Sequence, residues 1–326
     1  MQIILTGDVM LGRMVNSVLD RDRYTYVWGD TIDIFREADL SLVNLECVIS
    51  SKGSEWSKTF KVFHFRANPD AIRVLKTASI DYVSLANNHT LDYGNEALDE
   101  MLCLLKESGI SYSGAGRNLK EAMAPSVLHL GNTRIGVTAL TDNQPEWEAT
   151  ADSAGVNYIP LSLENGYADR LKECITSARE KSDIVIASSH VGPHFRESPS
   201  AEYVNFAHRA IDLGADVYWG HSNHMPQGIE IYKGRPILYD CGDFIDDYAV
   251  DRQHRNDLSF IFRLSAERGK IDSIELVPTM IHDFHASTAP SSEADLVMRR
   301  MAYRCGRLGT KCIIEKGRIS IPVYRP

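Results

Sequence analysis

Short apolar runs alternate along the chain with segments of helical periodicity. Runs rich in β-branched or aromatic residues predict buried strands at residues 2–5, 40–43, 82–86, 184–187 and 217–219. Apolar positions at helical spacing predict helices at residues 31–38, 69–77, 95–107, 163–182, 201–213 and 293–308. Because strands and helices alternate, the pattern predicts a β-sheet covered by helices.

Paired runs joined by short turns add antiparallel strands to this picture. They predict hairpins at residues 126–140, 229–239, 258–278 and 313–324. Residues 60–65 alternate between apolar and polar side chains, which predicts an edge strand, and the irregular residues 142–160 mark a boundary or a lid. The fold class that we expect is α/β, a mixed β-sandwich flanked by helices.

Side chains that can bind a metal follow the predicted strands at the point where each ends. These residues are Asp8, Glu46, Asn88, His190 and His221, and His224 lies one turn further on. In layered α/β sheets, ligands bind beyond the carboxyl ends of the strands. Carboxylates and imidazoles are common ligands of divalent ions, and two ions about 3.5 to 4 Å apart activate water for hydrolysis. The pattern therefore predicts a metal site.

Bulk properties narrow the classes of partner. The chain has 326 residues, 44% of them hydrophobic, which suffices for a full core. A net charge of −9 argues against nucleic acid and leaves a small molecule or an anionic polymer as substrate. We expect a cytoplasmic protein, because the six cysteines contain no C-x-x-C pair and the sequence shows neither a signal peptide nor a membrane anchor. The oligomeric state is open, and a homo-oligomer is among the alternatives.

Together the motifs resemble the CapA family of capsule and poly-γ-glutamate synthesis, within the calcineurin-like metallophosphatase superfamily. They are G-D (7–8), N-L-E (44–46), N-N-H-x-x-D-Y-G (87–94), H-V-G-P (190–193), G-A-D-V (214–217), G-H-S-N-H (220–224) and Y-x-G-x-x-I-L-Y-x-C-G-D-F (232–244). The resemblance implies a calcineurin-like metallophosphatase domain at residues 1–262. We expect residues 263–326 to form an extension packed on that domain.

The resemblance also implies roles for individual residues. One metal ion takes Asp8, Glu46 and His224, and a second takes Asn88, His190 and His221 with Glu46 as the bridge. His89 is the catalytic proton donor or electrostatic stabiliser, and Asp92 orients its ring. The ions are Mn, Fe or Zn.

One departure from the superfamily concerns the first metal position. Met10 stands where its phosphatases usually have a histidine. Either that ion binds weakly, or Asp243 or Asp240 replaces the missing ligand, or one ion alone is held.

Two further residues are candidates for substrate binding. Arg13 binds an anionic group or forms a surface ion pair, and His194, two residues after Gly192, is expected to line the substrate pocket.

Two functions remain open at this point. The first is a metal-dependent hydrolase that uses metal-activated water on a phosphoester or a γ-glutamyl or other amide bond. The alternative is a non-catalytic accessory protein of polymer synthesis that binds the polyanion.

Overall fold

The computed structural model describes residues 1–19 and 23–323. Strands β1 to β10 are Gln2–Val9, Leu40–Leu45, Val48–Ile49, Arg66–Ala67, Tyr82–Ser84, Ser111–Ser113, Ala115–Gly116, Ser126–Leu130, Thr133–Thr141 and Gly155–Val156. Strands β11 to β20 are Ile184–His190, Val217–His221, Ile229–Tyr232, Arg235–Leu238, Asp243–Ile245, Leu258–Glu267, Lys270–His282, His285–Thr288, Ile313–Glu315 and Arg318–Pro322. Helices α1 to α8 are Arg13–Val18, Ile32–Glu37, Ile72–Thr77, Gly94–Glu107, Leu119–Met123, Tyr167–Lys181, Ala201–Asp212 and Ser291–Arg307.

The larger sheet contains the amino-terminal strands. Its order is β19-β20-β17-β16-β1-β2-β5-β6, with β15 paired to β1 and β18 paired to β17. Strands β1, β2, β5 and β6 are parallel neighbours, whereas β16 joins β1 in antiparallel orientation. Helices lie in the connections between the parallel strands, whereas β16 follows β1 only after most of the chain.

The smaller sheet has the order β13-β14-β12-β11-β9-β8. Its central strands β9, β11, β12 and β14 are parallel, and a hairpin closes each edge. The two sheets pack face to face through a core that includes Leu5, Leu42, Val137, Ile186 and Trp219. Trp219 also donates from Nε1 to the carbonyl of Thr6, 2.9 Å away across the interface. The predicted mixed α/β sandwich flanked by helices is therefore confirmed.

The helices cover the outer faces of the sandwich. Side chains of α2, α3 and α4 pack on the larger sheet, and those of α6 and α7 pack on the smaller one. Helix α8 buries Val297, Met298 and Met301 against the core between the sheets. Among the described residues, no helix is both long and apolar enough to cross a membrane.

Residues 263–326 are continuous with the larger sheet where the structure describes them. Strand β16 (Leu258–Glu267) spans the expected boundary at residue 262 and pairs with both β1 and β17. Strand β20 then extends the same sheet from β17. The division into two parts stays a prediction, and residues 324–326, the first of which ends the hairpin predicted at 313–324, lie outside the described residues.

The prediction of an edge strand at residues 60–65 is wrong. This segment has no regular secondary structure and lies in a loop that leads to β4. Phe60, Val62 and Phe63 are 92%, 62% and 57% exposed, whereas Lys61 turns inward to a buried carboxylate. Within the predicted alternation, Phe60 and Val62 therefore face solvent on either side of an inward-facing Lys61.

Candidate metal centre

Parallel pairing brings the predicted strand ends to one edge of the sandwich. In the larger sheet, Asp8 lies opposite Asn44 on one side and opposite Asp243 on the other. In the smaller sheet, His190 and His221 are the last residues of β11 and β12 and lie opposite each other. Because the sheets face each other, these residues meet above the core.

A first group of ligand atoms forms around Asp8. Asp8, Glu46, His224 and Asp243 each offer one atom, and these atoms all lie within 4.8 Å of one another. His224 Nδ1 is 2.8 Å from Asp243 Oδ1 and 4.0 Å from Asp8 Oδ2. The sequence predicted three of these residues and named Asp243 as one replacement for the ligand missing at Met10.

A second group contains Asp8, His190 and His221. The Nδ1 atoms of the two imidazoles are 2.9 Å apart, and each lies 3.9 Å from Asp8 Oδ1. His190 Nε2 is also 3.9 Å from Glu46 Oε1. The resemblance assigned the bridging position to Glu46, whereas the geometry places Asp8 in both groups and Glu46 within reach of both.

Several buried atoms of the predicted ligand residues and of Asp243 have no hydrogen-bond partner within the described residues. They are Asp8 Oδ2, Glu46 Oε1, Asn88 Oδ1, His190 Nε2 and Asp243 Oδ2. A buried polar atom without a partner is unfavourable unless another group satisfies it. Oxygen and imidazole nitrogen are the donor types that Mn, Fe and Zn accept. The residues present therefore fit divalent metal ions.

The electrostatics of the site agree with this fit. Burial raises the pKa of Asp8 to about 7 and raises the pKa of Glu46 well above its ordinary value. Burial also lowers the pKa of His221 to about 3 and holds the pKa of His190 well below its ordinary value. Both imidazoles are thus neutral at pH 7, which is the form that binds a metal ion.

A set of hydrogen bonds fixes the orientation of these side chains. Asn44 donates from Nδ2 to Asp8 Oδ1 at 2.7 Å, and Asn87 donates to Asn44 Oδ1 at 3.1 Å. The hydroxyl of Ser188 is 2.8 Å from His221 Nε2, so the Nδ1 face of that ring is directed to Asp8. Sequence reasoning gave no role to Asn44, Asn87 or Ser188, although all three lie in or beside the predicted strand ends.

His89 lies next to the two groups and is held on three sides. Its Nδ1 is 2.5 Å from Asp92 Oδ2, and its ring stacks on Phe65 with 3.8 Å between centroids. Its Nε2 is directed to Glu46 Oε1, 4.0 Å away. Burial raises the pKa of Asp92 to about 7, and burial keeps the pKa of His89 well below its ordinary value. The structure therefore brings His89 and Asp92 together beside the predicted ligands.

Lys61 is a member of this arrangement that the sequence did not reveal. Its ammonium nitrogen lies 3.2 Å from Asp92 Oδ1, and the side chain is 8% exposed. The backbone N–H of Phe65 donates to the other oxygen of Asp92 at 2.6 Å. Asp92 is therefore held between a cation, a backbone donor and an imidazole.

The remaining candidates lie near the site. Arg13 pairs with Asp247, with 3.2 Å between Nε and Oδ2, and its guanidinium lies 5.4 Å from the ring centroid of Phe65. The ring of His194 is 4.5 Å from that of His224 between centroids. Their substrate-binding roles stay predictions. Met10 is fully buried and accepts a hydrogen bond at Sδ from the backbone N–H of Gly12, 3.0 Å away.

Comparison with known proteins adds a family match to this geometry. Residues 2–248 match the model of a family described as bacterial capsule synthesis protein PGA_cap. A "Probable polyglutamine synthesis accessory protein" of Mycobacterium tuberculosis is 30% identical, with 95% of this chain and 93% of that protein covered. The capsule biosynthesis protein CapA of Bacillus anthracis is 27% identical over 76% of this chain and 60% of its own length. The PGA biosynthesis protein CapA of Bacillus subtilis is 26% identical over 89% and 73%.

Proposed function

This chain belongs to the PGA_cap family of bacterial capsule synthesis proteins, and we propose that it is a metal-dependent hydrolase of a phosphoester or γ-glutamyl amide bond. The resemblance to CapA proteins is thereby confirmed, and the mixed α/β architecture is consistent with the calcineurin-like fold of that family. One observation carries the proposal of hydrolysis. Four buried ligand-type atoms without a hydrogen-bond partner, on Asp8, Glu46, His190 and Asp243, belong to residues that converge at one edge of the sandwich, beside an imidazole held by a carboxylate.

We assign the ligands of two divalent ions from the two groups described above. Glu46, His224 and Asp243 would hold the first ion, His190 and His221 would hold the second with Asn88 as its further ligand, and Asp8 belongs to both groups. Ions of this type supply Lewis acidity and lower the pKa of water, which is the chemistry that hydrolysis of an ester or amide needs. Asp243 supplies a ligand at the position that Met10 leaves incomplete.

The His89–Asp92 pair supplies a proton to the leaving group. At pH 7 the imidazole is neutral, because burial holds its pKa well below the ordinary value, and burial raises the pKa of Asp92 to about 7, so that a protonated form of Asp92 is accessible. When Asp92 is protonated, it donates to Nδ1, and Nε2 carries the hydrogen of the ring toward the metal ligands. A proton that leaves from Nε2 is then replaced at Nδ1 from Asp92, so the ring stays neutral throughout.

The names of the relatives support a second candidate function. One relative is called an accessory protein of polyglutamine synthesis, which describes assistance to synthesis and names no reaction. In this alternative, the metal site and the nearby Arg13 bind the anionic polymer without cleaving it. Both candidate functions include metal binding, and turnover of a substrate distinguishes the hydrolase from the accessory protein.

The test begins with protein purified without chelator or added metal, in which ions per chain are measured by elemental analysis. The same protein, before and after chelation and reloading with Mn, Fe or Zn, is assayed on p-nitrophenyl phosphate, bis-p-nitrophenyl phosphate and γ-glutamyl-p-nitroanilide. We expect about two ions per chain and turnover that disappears with chelation and returns with metal. Bound metal without turnover of any ester or amide favours the accessory function, and protein that never binds metal refutes both.

A further inference from the structure

Tyr248, which follows β15, contacts the first group of ligand-type residues. Its hydroxyl donates to Glu46 Oε2 at 3.1 Å. Its ring meets the ring of His224 edge to face, with 5.3 Å between the centroids and 86° between the planes. Glu46 follows a strand of the larger sheet and His224 follows a strand of the smaller one. One side chain therefore contacts two members of the group that come from different sheets.

The two carboxylate oxygens of Glu46 have different surroundings. Oε2 accepts from the hydroxyl of Tyr248, whereas Oε1 has no hydrogen-bond partner within the described residues. Oε1 lies 3.9 Å from His190 Nε2 and 4.0 Å from His89 Nε2, so it is directed to the other functional side chains. A hydrogen bond to one oxygen of a metal-binding carboxylate fixes the direction in which the other oxygen points.

The segment that carries Tyr248 is held by its own contacts. Asp246 Oδ1 accepts from the backbone N–H of Tyr248 at 2.9 Å. Asp247 Oδ2 accepts from the backbone N–H of Met14 at 2.9 Å, which ties the segment to the start of α1. The hydroxyl of Tyr248 is therefore directed to Glu46 by a backbone whose position does not depend on that hydrogen bond alone.

The ring of Tyr248 has a second aromatic neighbour. Its centroid lies 5.7 Å from that of Phe65, the ring that stacks on His89. Replacement of the tyrosine by phenylalanine removes the hydrogen bond to Glu46 but retains the ring that packs on Phe65 and His224. That replacement separates the effect of the hydroxyl from the effect of packing.

From these contacts we propose that Tyr248 is a positioning residue of the metal centre, which directs Glu46 Oε1 to the first ion and fixes the ring of His224. The inference rests on the ligands assigned under the proposed function. Within the described residues, no hydrogen bond or ring contact joins Tyr248 to His190 or His221, so its effect is confined to the first ion.

The experiment measures binding of cobalt(II) to the full-length protein after chelation. Visible absorption reports the arrangement of ligands around cobalt, and competition with a chelator gives the affinity of each ion. Tyr248→Phe removes the hydroxyl alone, whereas Tyr248→Leu removes the ring as well. Tyr82→Phe is the matched control, because it also deletes one buried hydroxyl, which is hydrogen-bonded to Ser113 and contacts neither ligand group.

We expect Tyr248→Phe to weaken binding of one cobalt ion about tenfold and to change its absorption band, since loss of a ligand's hydrogen-bond partner has an effect of this size. The other ion should bind as before. Tyr248→Leu should weaken the same ion further, because the ring contact with His224 is also lost. Unaltered affinity and absorption in Tyr248→Phe overturn the proposal, and so does equal weakening in Tyr82→Phe.

Turnover of the p-nitrophenyl substrates is measured on the same samples with excess metal. Because Tyr248 acts through Glu46, excess metal should restore the turnover that Tyr248→Phe loses. Low turnover with normal cobalt affinity and absorption would instead place the hydroxyl on the substrate, which also overturns the proposal.

The two readouts separate this inference from the hydrolase. If the unaltered protein binds cobalt but turns over no substrate, the hydrolase is refuted, and the cobalt measurements still decide the role of Tyr248. If the protein turns over substrate and Tyr248→Phe binds both ions normally, the positioning role is refuted and the hydrolase is retained. A protein that binds no cobalt refutes both.

Discussion

Nδ1 of His224 lies 2.8 Å from Oδ1 of Asp243, at the edge of the sandwich where Asp8 and Glu46 also converge. Asp243 reaches this position because β15 pairs in parallel with β1, which sets it opposite Asp8. Met10 lies in the core and directs its sulfur to the backbone of Gly12. Asp243 thus adds a carboxylate to the group of Asp8, Glu46 and His224, whereas the sulfur of Met10 is directed to the backbone.

The first prediction concerns which aspartate replaces the superfamily's histidine. Asp243→Asn removes the charge but preserves the shape of the side chain, and we expect it to weaken metal binding at least about tenfold. Asp240→Asn is the control, because the carboxylate of Asp240 accepts from the backbone N–H groups of Asn223 and Gly242 and belongs to neither ligand group. Elemental analysis of both variants decides the matter, and equal metal loss in both contradicts the assignment.

The second prediction concerns the paired histidines at the ends of β11 and β12. His190→Ala and His221→Ala should each lose about one ion per chain and the activity with it. A metal ion present at about 100 times its Kd stabilises a folded protein by about 2.7 kcal/mol, so metal should also raise the melting temperature less in these variants. His208→Ala is the control, because His208 pairs with Glu230 and stacks on Tyr232 away from the site. Unchanged metal content in both site variants removes the basis of the metal centre.

Periodicity predicted most of the fold because buried positions are occupied by apolar residues at the spacing of a strand or a helix. The runs that became β1, β2, β5, β11 and β12 are apolar on both faces, as strands covered on both sides must be. The order of the strands in the two sheets was not predictable, since pairing depends on contacts between segments that are distant along the chain. The segment at residues 60–65 failed for a related reason: Lys61 is buried by a partner, Asp92, that local alternation does not reveal.

The site was predictable to the extent that ligands follow strand ends. Asp8, Glu46, His190, His221 and His224 could be named because each follows an apolar run in a motif of the family. Asn44 and Ser188 act through their hydrogen bonds to these ligands, and residues of that kind have no distinctive pattern of their own. That Asp8 belongs to both groups of ligand-type residues depends on distances across two sheets, which spacing along one chain does not give.

The third prediction is that metal affinity rises with pH through neutrality. Asp8, with a pKa of about 7, and Glu46, with a pKa raised further, must lose a proton before they bind a cation. His190 and His221 are already neutral at neutral pH, because burial lowers their pKa values, so they add no dependence in this range. Apparent affinity should therefore fall as the pH drops below about 7, by up to about tenfold per pH unit for each proton displaced.

Competition with a fluorescent chelator at several pH values from 5 to 8 measures this dependence. The stability of the metal-free chain should depend on pH in the opposite sense. Because of Asp8, its free energy of unfolding should fall as the pH rises. The pKa of Asp8 is about 7 when folded and about 4 when unfolded, so its contribution is present at low pH and is lost as the pH rises to about 7. A metal affinity that is constant over this range contradicts the raised carboxyl pKa values.

The fourth prediction concerns Lys61, which we expect to act through Asp92. Removal of the ammonium group in Lys61→Met takes away the cation that lies 3.2 Å from Asp92 Oδ1, and the balance of protonation between Asp92 and His89 shifts. We expect kcat to fall about tenfold with metal content and KM preserved, and Asp92→Asn to lower kcat about 100-fold. Loss of metal from Asp92→Asn would instead identify Asp92 as a ligand.

The double variant separates this role from a merely structural one. If Lys61 acts only through Asp92, the Lys61→Met/Asp92→Asn protein is no slower than Asp92→Asn alone, because residues in one network are not additive. If Lys61→Met instead loosens the loop in general, its loss of kcat is independent of the loss in Asp92→Asn. The fold-losses of the two substitutions then multiply in the double variant. Lys58→Met is the matched control, since Lys58 lies on the same loop with its ammonium 5.2 Å from the ring of Trp56 and should leave kcat unchanged.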